Sequence, residues 1–304
     1  MCRVTGYAAP KGSAMLRSSP ALRRGRLDRT AWMLVAAAVL TQILYPLTPQ
    51  TLLVVPTVVS VVIFAAASLT DAARRHGARG AVVLLVVAGG GGLAAEAMGV
   101  ATGLPFGAYA YTGSLGAELF DVPVIVPLAW IMMAWPALVV GRSLVASSPV
   151  AVAAVGGVAL AAWDVFLDPQ MVDAGHWRWT HPSPSLPLVP GIPLSNYAGW
   201  LVVSVLMIAA LDRLLGRRRA GAPPSGPAAA LYLWVYASSV LAHLAFFGLP
   251  GSALAGGVLM GLVAVPFARV VWRAAVPSGL AAPAPPRAES ALRAVRGSDD
   301  RRPR

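Results

Sequence analysis

Runs of about 20 apolar residues recur along the whole chain, and they limit its possible folds more than any other feature. Each run is long enough to cross the hydrocarbon core of a bilayer as a helix. We predict eight such spans, at residues 31–47, 51–70, 80–98, 121–141, 149–168, 196–214, 228–248 and 251–272. Only 12% of the residues are charged, whereas a soluble domain would carry roughly a quarter. The sequence therefore predicts an all-α, polytopic helical membrane bundle.

Two of the predicted turns are short and contain proline, at residues 46–49 and 249–251. A seven-span alternative, in which one of these helix pairs forms a re-entrant hairpin, stays open. Strands are not expected, because the apolar runs are too long and lack the alternation of a membrane barrel.

The positive charges favour one orientation of the bundle. If the N terminus lies inside, Arg178 is the only lysine or arginine on the outer side. The inner loops then hold Arg74, Arg75, Arg79, Arg142, Arg213 and residues 217–219. We therefore expect both termini inside and two long polar loops, 99–120 and 169–195, on the outer face. The net charge of +12 fits this topology, and no motif of nucleic-acid binding accompanies it.

The bundle is expected to form a single domain at residues 30–275. A disordered basic tail is predicted at 1–29, with Met15 as an alternative start, and a disordered tail rich in Pro, Ala and Arg at 276–304. The one cysteine, Cys2, excludes an internal disulfide. Arginine greatly outnumbers lysine, which indicates GC-rich coding DNA and a bacterial cell membrane.

Three carboxylates are placed where chemistry is expected. Asp164 and Asp168 are four residues apart and share one helix face near the outer end of the fifth span. Two such carboxylates away from bulk water tend to share one proton, which suits proton transfer. Binding of Mg²⁺, or a structural pairing with Arg178, stays open for this pair. Glu96 closes the third span, at a depth where a carboxylate usually marks function.

Aromatic and polar side chains surround these carboxylates in the sequence. We expect substrate contacts from Trp163, Trp177, Trp179, Phe106, Tyr109, Tyr111, Asn196 and His176. Simpler roles stay open for several of them: an aromatic belt for the tyrosines, a helix N-cap for Asn196, and polar loop contacts for His176. His176 and His181 are five apart, a spacing that does not demand a metal.

Three segments, 96–130, 163–179 and 191–200, carry a resemblance to a known family. They read EAMGVATGLPFGAYAYTGSLGAELFDVPVIVPLAW, WDVFLDPQMVDAGHWRW and GIPLSNYAGW. They resemble the membrane carotenoid-biosynthesis proteins that include the bisanhydrobacterioruberin and γ-carotene 1',2'-hydratases. The resemblance implies a hydro-lyase that adds water to the terminal C1=C2 double bond of an acyclic carotenoid end, giving a tertiary alcohol. It implies no cofactor and no metal.

The residues fit that implied chemistry. Asp164 or Asp168 could protonate the alkene, and the aromatic rings could stabilise the resulting cation. The partner carboxylate or Glu96 could then deprotonate water. The expected partners are an acyclic or half-cyclised carotenoid and the lipid bilayer, with other enzymes of the pathway as candidates.

Other functions stay open. A carotenoid cyclase also begins by protonating an alkene. An intramembrane prenyltransferase or elongase would need a second Asp-rich motif, which the sequence lacks. A carotenoid-binding subunit or a transporter is the non-enzymatic alternative, although a transporter would be expected to show internal repeats.

Overall fold

The computed structural model describes residues 20–216, 224 and 226–276, and this part of the chain is a helical bundle. By length and composition, eight of its helices can cross a membrane, so the predicted fold class is confirmed. The α-helices are α1 (Pro20–Leu44), α2 (Val54–His76), α3 (Ala78–Leu84), α4 (Gly91–Thr102), α5 (Ile125–Leu144), α6 (Pro149–Asp173), α7 (Leu194–Leu215), α8 (Gly226–Ala245) and α9 (Pro250–Ala275). The third span is composite, because a π-helical turn at Leu85–Gly90 joins α3 to α4.

The first helix begins earlier than the sequence analysis placed it. α1 starts at Pro20, so residues 20–29, assigned above to a disordered tail, are helical. Residues 20–29 have few apolar side chains, so hydropathy does not include them in the span. A helix that tertiary contacts already hold can nevertheless extend through such a basic segment. The rest of that tail, the C-terminal tail from residue 277 and the basic run at 217–219 lie outside the described residues.

Helices α5 and α6 form the centre of the bundle. In an apolar 18-residue stretch of each of these two spans 72% and 67% of the positions are buried, against 39% or fewer in the corresponding stretch of every other span. α6 begins sharply, because the Ser148 hydroxyl accepts a hydrogen bond from the backbone N–H of Ala151 and Pro149 occupies the first turn. It packs against α5, α7 and α9. A Cβ at Gly157 would lie 2.8 Å from the Cα of Val205, so a glycine is needed where α6 meets α7.

The end of the bundle opposite the two long loops holds a buried ion pair. Arg142 Nε donates to Asp212 Oδ1 at 2.6 Å, and Arg142 Nη2 donates to the backbone oxygens of Asp212 and Gly216. These contacts satisfy the carbonyl end of α7 with a cation, as the helix dipole favours. Asp212 therefore links the end of α7 to α5.

The two long loops contain short strands, which the sequence analysis did not expect. The strands form three antiparallel pairs in the described chain, and the first of these joins the two loops. The pairs are β1 (Tyr109–Tyr111) with β4 (Trp177–Trp179), β2 (Glu118–Leu119) with β3 (Val122–Pro123), and β5 (Ser185–Leu186) with β6 (Val189–Pro193). The strands are too short to leave a periodic pattern in the sequence. The pairing of β1 with β4 confirms that the two loops lie on the same face of the bundle. That this face is the outer one stays a prediction from the arginine distribution.

Candidate functional site

A cavity of about 510 Å³ lies inside the bundle, beneath the two paired loops. Helices α1, α2, α4, α5, α6, α7 and α8 contribute to its wall, together with β1 and β4. Its lining is largely apolar and aromatic, with a few convergent polar groups, which is typical of a small-molecule site. Nine of the predicted site residues line it, eight of them being Glu96, Asp168, Trp163, Trp177, Trp179, Phe106, Tyr109 and Tyr111. Asn196 lines it as well.

Asp164 and Asp168 form a pair on α6 that is held from α7. The Asn196 side-chain amide donates to Asp164 Oδ2 at 2.8 Å and also donates to Asp168 Oδ2. The two carboxyl groups are also close enough to hydrogen-bond to each other. Both are buried, so one shared proton is the favoured state, because two adjacent negative charges without water repel strongly. The first turn of α7 thus fixes the geometry of a proton-carrying pair.

Only one member of this pair faces the cavity. Asp168 lines the cavity, and its Oδ1 accepts a hydrogen bond from Trp177 Nε1 at 3.1 Å. Asp164 is fully buried behind it and does not contribute to the lining. Asp164 Oδ1 has no hydrogen-bond partner within the described chain. By sequence the two aspartates are equivalent, whereas in the structure Asp168 is the one that faces the cavity.

Glu96 is a carboxylate surrounded by donors. Tyr109 and Tyr111 donate their hydroxyls to Glu96 Oε2, at 2.5 and 2.9 Å. The indole of Trp130 donates to Glu96 Oε1 at 3.0 Å. Three donors on two oxygens suit the ionised form, since a carboxylate only accepts hydrogen bonds. These donors stabilise a negative charge on Glu96, which faces the same cavity as Asp168.

The tyrosine donors are held in their protonated form. Burial, reinforced by the charge of Glu96, raises the pKa of Tyr109, and the same two causes raise the pKa of Tyr111. Both phenols therefore keep their protons across the physiological range and remain hydrogen-bond donors to Glu96. The aromatic-belt interpretation does not describe these tyrosines, because their hydroxyls point inward to a carboxylate.

The glycine-rich middle of the third span lets Trp130 reach Glu96. A Cβ at Gly92 would lie 2.6 Å from the Trp130 ring, so a larger residue would displace the indole. The π-helical turn just before Gly92 rotates the following helix relative to α3. Such turns are frequent at functional sites. Within the run at 89–92, Gly92 thus allows close packing of an aromatic ring beside the carboxylate.

Aromatic rings form most of the wall between the two carboxylates. Trp130 and Trp200 stack with their ring centroids 4.0 Å apart, and Trp163 meets Trp200 edge to face at 6.1 Å. Trp179 is fixed by its indole N–H, which donates to the backbone oxygen of Phe106 at 2.9 Å. Trp130 and Trp200 were not among the predicted site residues, although each ends one of the three segments that carry the family resemblance. Their π faces make the cavity suited to a positively charged group or an extended π system.

His176 and Asn196 were both expected to contact the substrate, with simpler roles left open. His176 does not line the cavity; its Nδ1 lies 2.8 Å from the hydroxyl of Ser114, and burial lowers its pKa. Asn196 does not cap α7, because Pro193 occupies the cap position and the amide instead binds the aspartates. Asn196 reaches the aspartates because it is the third residue of α7, on the side of the helix that faces α6.

Other polar residues of the cavity wall were not predicted. His243 on α8 is buried between two backbone oxygens, with Nδ1 2.8 Å from Ser239 O and Nε2 2.9 Å from Phe166 O. Gln42 on α1 accepts a hydrogen bond from Trp234 on α8. Each of these residues is an isolated polar residue in an apolar helix. Their positions in the sequence therefore give no indication that they share a cavity.

Metal binding by the aspartates was an open alternative above. Across residues 20–216, 224 and 226–276, no three His, Cys, Asp or Glu side chains cluster in a way that could hold a metal ion. Arg178 is exposed, and the ion pairs of the described chain do not include one between Arg178 and Asp164 or Asp168. The partners of the aspartates are instead an amide and an indole.

Comparison with known proteins identifies the family of the chain. The family model described as "Carotenoid biosynthesis protein" matches residues 52–244. The chain belongs to this family. The match includes α2 to α7, both paired loops and nearly all of α8, and so it contains every carboxylate of the cavity.

A curated relative from Haloarcula japonica, bisanhydrobacterioruberin hydratase, is 31% identical over 132 residues. That alignment covers 41% of this chain and 42% of the relative, so the chain matches less than half of the relative's length. No solved structure matches the chain. A role in carotenoid biosynthesis follows from the family, together with an integral membrane location.

Proposed function

We propose that this protein hydrates the terminal C1=C2 double bond of an acyclic carotenoid end and yields a tertiary alcohol. The observation that carries the proposal is that Asp168 and Glu96 line one aromatic cavity, one in a proton-sharing pair and the other surrounded by donors. The relative from Haloarcula japonica is a hydratase, which supports the same reaction class. The proposal requires no cofactor.

Asp168 is the proposed proton donor, because it is the member of the pair that reaches the cavity. Its proton transfers to C2 as the π electrons form the new C2–H bond, leaving a tertiary cation at C1. Trp177 and Asn196 hold the carboxyl by hydrogen bonds and stabilise the negative charge that remains on it. Asp164 acts as a positioning residue that sets the proton affinity of Asp168.

The aromatic wall and Glu96 complete the reaction. The π faces of the lining tryptophans stabilise the cation, and water bonds to C1 through its oxygen. Glu96 takes one proton from that water, so the product is the neutral tertiary alcohol. Transfer of this proton back to Asp168 through water restores the starting state. One water is consumed, and the protein returns unchanged.

Pigment analysis tests the proposal directly. We would express the chain in a lycopene-producing host, together with the Asp168→Asn and Glu96→Gln variants, and measure the carotenoids by mass spectrometry. The expected product carries the mass of one added water and is lost in both variants. An isomer of unchanged mass would overturn hydration in favour of a cyclase. Unchanged lycopene and unchanged half-cyclised carotenoid, with the protein present in the membrane, would refute the enzyme assignment.

A further inference from the structure

The cavity continues from the carboxylates to the lipid-facing side of the bundle, where α1 and α8 end. Its lining includes Ile43, Leu47, Leu241 and Phe246, which are 48%, 70%, 58% and 55% exposed. A residue that lines a closed cavity would be shielded from the outside. These four side chains face both the cavity and the surroundings, so they form the rim of an opening.

Two contacts frame this opening. The indole of Trp234 donates to Gln42 Oε1 at 2.7 Å, which joins the facing sides of α8 and α1. The rings of Tyr45 and Phe247 meet edge to face at 5.6 Å beyond the end of each helix. A hydrogen bond between neutral side chains is stronger in an apolar setting than in water, so the first contact can hold the helices at a fixed spacing.

Between the two contacts, α8 lines the cavity along most of its length. From Trp234 to the end of α8 the helix rises about 16 Å. The residues that line the cavity along this stretch include Leu241 and Ala242, together with Val235, Ala237, Ser238, Ser239 and His243. Leu244 is similarly exposed, at 63%, but it does not line the cavity. Leu241 and Leu244 are therefore equally exposed positions of α8 that differ in whether they face the cavity.

We propose that the polyene chain of the substrate passes from the cavity into the bilayer through this opening between α1 and α8. The inference rests on the proposed function, in which the reacting end of a long hydrocarbon lies between Asp168 and Glu96. The rest of the chain is apolar, and this opening is lined by apolar side chains and continuous with the cavity. The opening lies in the half of the bundle that carries the paired loops, so the reacting end is near the carboxylates while the chain stays in lipid.

Photo-crosslinking tests the route with the full chain in membranes. Leu241 is replaced by p-benzoylphenylalanine in one variant and Leu244 in the other, and each is irradiated in membranes that contain lycopene. Because both positions are about equally exposed, the Leu244 variant measures capture of lycopene that is simply dissolved in lipid. We expect several-fold more lycopene adduct at position 241. Equal yields would overturn the proposed route.

A second pair of variants tests the route by function. Leu241→Trp narrows the opening, whereas Leu244→Trp adds the same bulk outside it. We expect Leu241→Trp to raise KM for lycopene about tenfold and Leu244→Trp to leave it unchanged. Equal KM values for the two variants would overturn the route. Selective adduct at position 241 without any hydrated product would support the opening and refute hydration, so the two proposals fail separately.

Discussion

Tyr111 and Trp177 are opposite residues in the β1–β4 pair, and their rings meet edge to face with centroids 5.6 Å apart. Each donates a hydrogen bond to a different carboxylate: Tyr111 to Glu96 on α4, and Trp177 to Asp168 on α6. A two-stranded pair thus links the two carboxylates that face the cavity. The paired loops therefore fix the spacing between Asp168, the proposed acid, and Glu96, the proposed base.

Trp177→Phe removes the indole donor and keeps an aromatic ring. We expect turnover to fall about 10- to 100-fold, the range for a hydrogen bond of roughly 1.5–3 kcal/mol to a charged group. Trp179→Phe is the matched control on the same strand, since its indole donates to a backbone oxygen instead. Hydration rates in isolated membranes provide the measurement. Equal losses of turnover in both variants would show that the strand acts only in stability.

Asp168→Asn removes the proposed proton donor and preserves the size of the side chain. We expect turnover to fall about 100- to 10,000-fold, the usual contribution of a general acid. Asp173→Asn, at the exposed end of the same helix, should leave turnover unchanged. Product formation is followed by mass spectrometry of extracted pigments. Full activity of Asp168→Asn would assign the acid elsewhere.

Asn196→Leu leaves the two buried aspartates without their shared amide. We expect the free energy of unfolding to fall by about 1–3 kcal/mol, because buried polar groups lose a hydrogen-bond partner. Ser195→Ala, next to it at an exposed position, should change stability by less than about 0.5 kcal/mol. Thermal unfolding in detergent compares the two. A stable Asn196→Leu protein would contradict the role assigned to the amide.

Gly92→Ala introduces a methyl group where Trp130 lies against α4. The new Cβ would approach the ring to 2.6 Å, so we expect a loss of about 1–3 kcal/mol in stability and weaker hydration activity. Gly91→Ala is the control, since nothing lies within 4 Å of its Cβ position. Alanine is the better helix former there, so that variant should be unchanged or slightly more stable. Similar destabilisation by both substitutions would count against the packing argument.

His176 should make the stability of the folded protein decrease at acidic pH. Burial lowers its pKa below the ordinary value of 6.5, so between these two pKa values the unfolded chain binds a proton that the folded chain does not. Stability from this residue is complete above pH 6.5 and is lost as pH falls through the lowered pKa. Thermal unfolding across this window should therefore be flatter for His176→Gln. An unchanged slope would assign the acid sensitivity to other groups.

Part of the candidate site could be predicted from the sequence. Asp164 and Asp168 are four apart, which guarantees a common helix face, and Glu96 stands out because carboxylates are costly at membrane depth. The aromatic residues of the two loops attracted attention by their density. Sequence could not tell which aspartate reaches the cavity, because both satisfy the same helical spacing and differ only in what packs against them.

The sequence by itself determined the fold class and the approximate positions of the spans, since long apolar segments have few alternatives in a bilayer. It also determined that the two polar loops share one face, which follows from counting the spans between them. Only the tertiary structure decided the pairing of β1 with β4, the link from Asn196 to both aspartates, and the Gln42–Trp234 contact beside the opening. Those contacts join residues distant in the chain, and neither helical periodicity nor hydropathy contains information about which distant side chains meet.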